Sequence, residues 1–267
     1  MSLFHLILVA LIQGLTEFLP VSSSGHLILL PALTDLDDQG QMIDIAVHVG
    51  TLFAVILYFR ADVRVAANGV PRLMRGKVDT QGAWLAMLLV ISTIPVLLFG
   101  LFLKLSGLDA ALRSVALIGW TMLIFGLVLY WTDQKGEVTK EARQWSMKDA
   151  FYMGLWQALA LIPGTSRSGA TISGARALGY AREDAAKLAM LMSIPTILAS
   201  GLLLGFEVIG DANAALARDA ALAAILSFIA ALFALTLMMR LLKSVSFTPY
   251  VIYRICLGLV LLVYAYS

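Results

Sequence analysis

The sequence is short of charge, with Asp, Glu, Lys and Arg making up 13% of its 267 residues, and short of cysteine, with Cys256 alone. One cysteine excludes an internal disulfide and every CxxC metal or redox motif, so cysteine usage says nothing about redox compartment. No GxxxxGK[ST] run occurs, which removes a Walker-type nucleotide site. The basic residues are spread over separate segments and form no patch of the kind nucleic acid requires. The opening run MSLFHLILVA has no basic n-region and no small-residue cleavage site, so the first segment is expected in the mature protein. A net charge of +2 excludes nothing further.

What fills the chain instead is apolar: 60% hydrophobic residues and a mean hydropathy of +0.89, values of an integral membrane protein. Runs long enough to cross about 30 Å of hydrocarbon as helix recur. They lie near 41–59, 82–103, 112–132, 187–206, 220–239 and 249–266. A membrane barrel would need short alternating segments, and runs such as MLLVI at 87–91 do not alternate. The expected fold class is therefore an all-α polytopic membrane protein, one membrane domain over 1–267.

Two polar islands interrupt this pattern, and they match each other. QGLTEFLPVSSSG at 13–25 lies over QALALIPGTSRSG at 157–169, aligning Gln13 with Gln157, Leu15 with Leu159, Ser22 with Ser166 and Ser24-Gly25 with Ser168-Gly169. In each half an apolar segment breaks at Pro-, Gly- and Ser-rich sequence, and three spans follow. An odd number of crossings inverts the second half. The expectation is two inverted-topology repeats, about 1–132 and 150–267, whose interrupted helices meet near the bilayer midplane.

Charge agrees with that topology. If 60–81 is cytoplasmic, so are 133–149, 173–187 and 240–248, and these four segments hold fourteen of the nineteen lysines and arginines, against Lys104, Arg113 and Arg218 on the opposite face. That is the positive-inside pattern. Asp35, Asp37, Asp38, Glu207 and Asp211 map outside, and both polar islands must enter and leave on one side, as re-entrant segments. Irregular backbone at membrane depth persists where it lines a wet cavity or is buried in protein.

The chemistry of such a cavity can be read from its residues. PGTSRSGAT at 163–171 sets Arg167 among Thr165, Ser166, Ser168 and Thr171 with two glycines: close backbone N–H groups, hydroxyl donors and a planar guanidinium suited to phosphate. A helix starting near Ser168 would add its N-terminal amides. The first island adds Glu17 and His26 as proton acceptors or donors and Ser22, Ser23 and Ser24 as nucleophile or positioning groups. A carboxylate within a membrane segment is costly enough that function is its default reading. Serines singly are common packing residues between membrane helices. Asp44 and His48, four apart, read first as a polar pair satisfying itself on one helix face. Pro95 and Pro195 are expected to kink their helices; His5 is given no role.

At these residues the sequence resembles a known family. QGLTEFLPVSSSGH is similar to the (E/Q)xxxE motif and following Ser-Ser-x-Gly-His of the undecaprenyl-pyrophosphate phosphatases, the bacitracin-resistance family of bacterial inner membranes, and PGTSRSGAT to that family's second signature. The resemblance runs over essentially the whole chain. It implies a multi-pass hydrolase of the bacterial inner membrane that takes undecaprenyl pyrophosphate to undecaprenyl phosphate and inorganic phosphate, recycling the carrier for peptidoglycan synthesis. It implies functional roles for Glu17, Ser22, Ser23, His26, Ser166, Arg167 and Thr171 and a divalent cation, Mg²⁺ or Ca²⁺. The chemistry of the residues then assigns catalysis to Glu17, Ser23, His26 and Arg167, substrate contacts to Gln13, Ser22, Ser24, Ser166, Ser168 and Thr171, and the cation to Glu17. Gln13 stands where many members carry glutamate. Whether Ser23 or water is the nucleophile stays open. The expected partners are the lipid substrate and membrane lipids; a homodimer is compatible with the sequence. The competing reading is a polyprenyl-phosphate or anion transporter of inverted-repeat type. A carrier would use Arg167 and the hydroxyls but has no need of Glu17 and His26 as a proton-handling couple.

Overall fold

The computed structural model describes every residue except 35, 109–111, 113, 137 and 209–213, and of 204–208 the backbone alone. Of the charges expected outside, Asp35, Arg113, Asp211 and the Glu207 side chain lie outside the described residues. Among the described residues six helices are long and apolar enough to cross a membrane: α3 (Gln41–Tyr58), α5 (Gln81–Ser106), α6 (Val115–Lys135), α9 (Arg182–Val208), α10 (Ala214–Leu241) and α11 (Thr248–Tyr266). Each overlaps one of the six sequence runs. Four shorter helices pair around the polar islands, α1 (Leu3–Thr16) with α2 (Ser23–Leu33), and α7 (Met147–Leu159) with α8 (Arg167–Ala177).

One element departs from expectation. The segment 60–81, read as a connection, contains α4 (Arg60–Leu73). It packs on α5 because Gly69 and Gly82 leave no side chain between the backbones, and a Cβ at Gly69 would collide with the backbone of Gly82 and Ala83. Close approach of this kind needs glycine on both sides.

The short helices seat on the opposite half of the chain. Gly14 of α1 lies against Ser227 and Ala230 of α10, while Gly154 of α7 lies against Ser92 and Pro95 of α5. Between them α3 packs on α10, where the Ser227 hydroxyl donates to the Val47 carbonyl at 2.9 Å, and α6 packs on α11 through Gly119 and Gly258. The α7–α8 and α1–α2 turns are thereby brought together at the centre.

All four segments expected to share a membrane face meet at one end. Buried Asp133 accepts from Arg176 and Arg182 and from the backbone N–H of Phe247. Lys187 pairs with Asp62 at 2.7 Å. Asp149, which opens α7, accepts from the Tyr180 hydroxyl at 2.7 Å and from Lys140 at 3.1 Å. Burial pushes the Asp149 carboxyl up, but these two donors outweigh it and hold it below the ordinary carboxylate value.

Candidate functional site

Each polar island turns between its two short helices at a serine of positive φ. Ser22 has φ 72° and Ser166 φ 71°, and among the described residues no other non-glycine residue has positive φ. The cost of such a conformation, about 1–3 kcal/mol, is tolerated where the surroundings enforce it, and it clusters at functional sites. Both serines are N-caps: the Ser22 hydroxyl accepts from the Gly25 N–H at 3.3 Å and the Ser166 hydroxyl from the Gly169 N–H at 3.1 Å. The Ser168 hydroxyl then donates to the Leu19 carbonyl at 2.9 Å, joining the loops directly.

Where the loops meet, a cavity of about 190 Å³ is lined by Glu17, Ser22, Ser23, Ser24, His48, Gln157, Ser166, Arg167, Thr196 and Ser200, with Val96, Ala160, Leu161 and Ile197 as its apolar wall. Arg167 donates to Glu17 Oε1. The other carboxylate oxygen, Oε2, accepts from the Ser23 hydroxyl at 2.6 Å and from the Gln13 amide at 2.8 Å. His48 Nε2 stands 4.0 Å from the same oxygen. Carboxylate, guanidinium and hydroxyl from islands 150 residues apart in sequence thus form one cluster.

The remaining expected residues divide. Ser166 and Ser24 line the cavity; Ser168 and Thr171 are buried, with Thr171 donating to the Arg167 carbonyl at 2.7 Å. His26 is turned away. Its Nδ1 lies 2.7 Å from the Ser22 carbonyl, which can only accept, so Nδ1 carries the hydrogen and Nε2 accepts from the Tyr253 hydroxyl at 2.6 Å. Its ring stacks on Tyr253 and is not among those lining the cavity. Asp44 and His48 do not satisfy each other through side chains: His48 Nδ1 contacts the Asp44 carbonyl at 2.7 Å, and the Asp44 carboxylate accepts from Gln39.

The sequence reading missed Arg254. It is fully buried in α11 and donates to the carbonyls of Pro20 at 3.1 Å, Gly164 at 2.9 Å and Thr165 at 3.0 Å, with Met122 and Thr121 of α6 at 3.3 and 3.4 Å. One guanidinium thus holds the irregular backbone of both loops. A charged residue inside an apolar span was the available signal.

The donor set for a cation is small. Among the described residues no cluster of three or more His, Cys, Asp or Glu is placed to bind a metal. Glu17 is the one carboxylate on the cavity, and Gln13 Oε1 beside it is buried without a hydrogen-bond partner, as is Gln157 Oε1. A carboxylate with an unpaired amide oxygen suits a hard cation that draws its other oxygens from a bound phosphate.

The chain is similar to known proteins over its whole length. The model of the bacitracin resistance protein BacA family matches residues 6–260. Proteins named undecaprenyl-diphosphatase from Dinoroseobacter shibae and Roseobacter denitrificans are each 72% identical over 267 residues, covering all of both chains. Another of that name from Hahella chejuensis is 43% identical, covering all of this chain and 99% of its own. With both island motifs inside the matched span and the likeness running end to end, the chain belongs to the BacA bacitracin resistance family.

Proposed function

We propose that this membrane protein hydrolyses undecaprenyl diphosphate to undecaprenyl phosphate and inorganic phosphate, at the cavity shared by its two islands. The observation that carries the reading is the Glu17–Arg167 ion pair with the Ser23 hydroxyl on the other carboxylate oxygen. With the cavity empty of substrate, Arg167 is neutralised by Glu17. A diphosphate brings acceptor oxygens in the geometry a guanidinium favours and competes for Arg167. Glu17, released from that partner, is left as a base with the Ser23 hydroxyl already donating to it.

The proton then moves to Glu17 from Ser23 or from a water in the same position, and the new P–O bond forms as the bond from the terminal phosphorus to the bridging oxygen breaks. Attack by water gives inorganic phosphate directly, whereas attack by Ser23 gives a phosphoserine ester that a water then splits to inorganic phosphate and free Ser23. Charge accumulates on the bridging oxygen, so Arg167, the Ser166 and Ser24 hydroxyls and the loop amides act chiefly by position and electrostatics. Glu17 and Gln13 Oε1 would hold Mg²⁺ or Ca²⁺, which supplies further charge neutralisation when bound. The polyprenyl tail leaves the cavity past Val96 and Leu161 toward an apolar groove of about 580 Å³ between α5 and α7, lined by Pro95, Leu98, Phe99, Phe102, Phe151 and Leu155.

The same reading takes the two halves as inverted repeats in the bacterial inner membrane, with the Asp133 and Asp149 networks on the cytoplasmic face. The exchanged seating of α1 and α7 and the matched serine caps support it. Purified protein in detergent should release phosphate from undecaprenyl diphosphate with Mg²⁺ or Ca²⁺, and chelation should lower the rate at least tenfold. Arg167→Ala should abolish turnover while keeping its melting temperature. Lipid binding through Arg167 with no phosphate released would favour the transporter reading instead.

A further inference from the structure

The cavity holds an imidazole that is not committed elsewhere, and it is not His26. His48, in the middle of α3, points Nε2 into the cavity, 4.0 Å from Glu17 Oε2, with its side chain 38% exposed. Its Nδ1 faces the Asp44 carbonyl at 2.7 Å, and since a carbonyl only accepts, Nδ1 carries a hydrogen. Nε2 is therefore a bare lone pair in the neutral ring and an N–H in the imidazolium. His26 has the same inner contact but receives the Tyr253 hydroxyl on Nε2, whereas His48 meets only a carboxylate there.

The groups around His48 set what it can bind. Glu17 faces it from the α1–α2 loop, and Arg167 reaches the same carboxylate from α8. Thr196 and Ser200 of α9 bring hydroxyls to the same cavity. Packed on the other side of α3, α10 has no charged residue between 220 and 239, and Asp44 on α3 itself is bonded by the Gln39 amide at 2.7 Å. Glu17 and an incoming diphosphate both offer only acceptor oxygens. Toward either of them the ring can act only as a donor, through an N–H at Nε2.

We infer that His48 is a phosphate-binding residue of this site: its Nε2–H turns from Glu17 to a phosphate oxygen of the lipid head group as Arg167 does, closing the cavity from α3. This rests on the diphosphate reading above, and it adds a contact from an element neither island motif contains. A histidine that only fills space on α3 would have no need to expose Nε2 on the polar side of the cavity.

The test uses the purified full chain with His48→Gln and His48→Leu, each checked by its melting temperature in detergent. Glutamine can place an amide N–H where Nε2–H stands; leucine fills the volume without a donor. The expected result is a KM for undecaprenyl diphosphate raised at least tenfold in His48→Leu, with His48→Gln within about threefold of wild type. If His48→Leu fails to fold, His48→Ala takes its place. A leucine or alanine variant within twofold of wild type overturns the inference, as does a glutamine variant as impaired as leucine. Wild-type protein that releases no phosphate overturns the phosphatase reading itself; inorganic diphosphate binding, lost in leucine and kept in glutamine, would then still support His48.

Discussion

In the first loop Ser22 takes φ 72° and its hydroxyl caps Gly25; in the second, Ser166 takes φ 71° and caps Gly169. Ser24 Oγ stands 3.4 Å from Ser22 Oγ, and Ser168 Oγ 3.1 Å from Ser166 Oγ. The backbone device is the same twice. The cargo differs: the first loop delivers a carboxylate, the second a guanidinium, and the two neutralise one another across the cavity. A repeated turn with opposite charges makes a site that is electrically closed when empty and opens to a ligand able to displace one half of the pair.

The largest expected effect breaks both loops at once. Arg254→Leu leaves carbonyls of Pro20, Gly164 and Thr165 without their donor, and buried acceptors cost about 1–3 kcal/mol each when unpaired. We expect at least about 3 kcal/mol of lost stability, read from thermal unfolding in detergent; an unchanged melting temperature would mean that the loops hold themselves. Next, Arg167→Lys removes the planar fork of the second loop while keeping its charge. It should lower kcat/KM by about 100-fold or more, the range for losing one preorganised transition-state donor. A lysine variant near wild type would show that charge alone suffices.

Smaller effects probe whether the loops are equivalent. Ser22→Ala and Ser166→Ala each lose a cap and should each destabilise by about 1 kcal/mol. The glycine replacements lose the same cap but relieve the positive φ, and should stay within about 0.5 kcal/mol of wild type. Unequal losses at the two positions would break the parallel. Smallest is a pH effect confined to the second half, because α7 opens on Asp149 while α1 has no acidic residue in its first turn. The Asp149 carboxyl is held below its ordinary value, so the stability it contributes is present above about pH 4 and is lost as pH falls further. Wild-type melting temperature should therefore decline more steeply below about pH 4 than that of Asp149→Asn; parallel declines would assign the acid sensitivity elsewhere.

The six spans were legible because hydropathy alone dictates them, and both islands because hydroxyls, Glu17 and Arg167 are costly in apolar runs. The amphipathic α4 was not, since its seat on α5 depends on Gly69 meeting Gly82, a contact no local pattern announces. The surroundings of the imidazoles were not legible for the same reason. His26 lies nine residues from Glu17 yet turns to Tyr253, 227 positions away, while His48, paired on paper with Asp44, faces Glu17 across helices. Arg254 was hidden in the last apolar span, and its carbonyl partners come from three separate stretches of chain.

If a diphosphate displaces Glu17 from Arg167 and so frees it as a base, Glu17→Gln separates the binding half of that exchange from the catalytic half. Measuring KM, kcat and diphosphate affinity for this one variant is the most direct test. Affinity should equal or exceed that of wild type, because the competing carboxylate charge is gone, while kcat falls by about 100-fold or more. A variant that turns over at the wild-type rate, or that loses affinity while keeping kcat, would contradict the exchange.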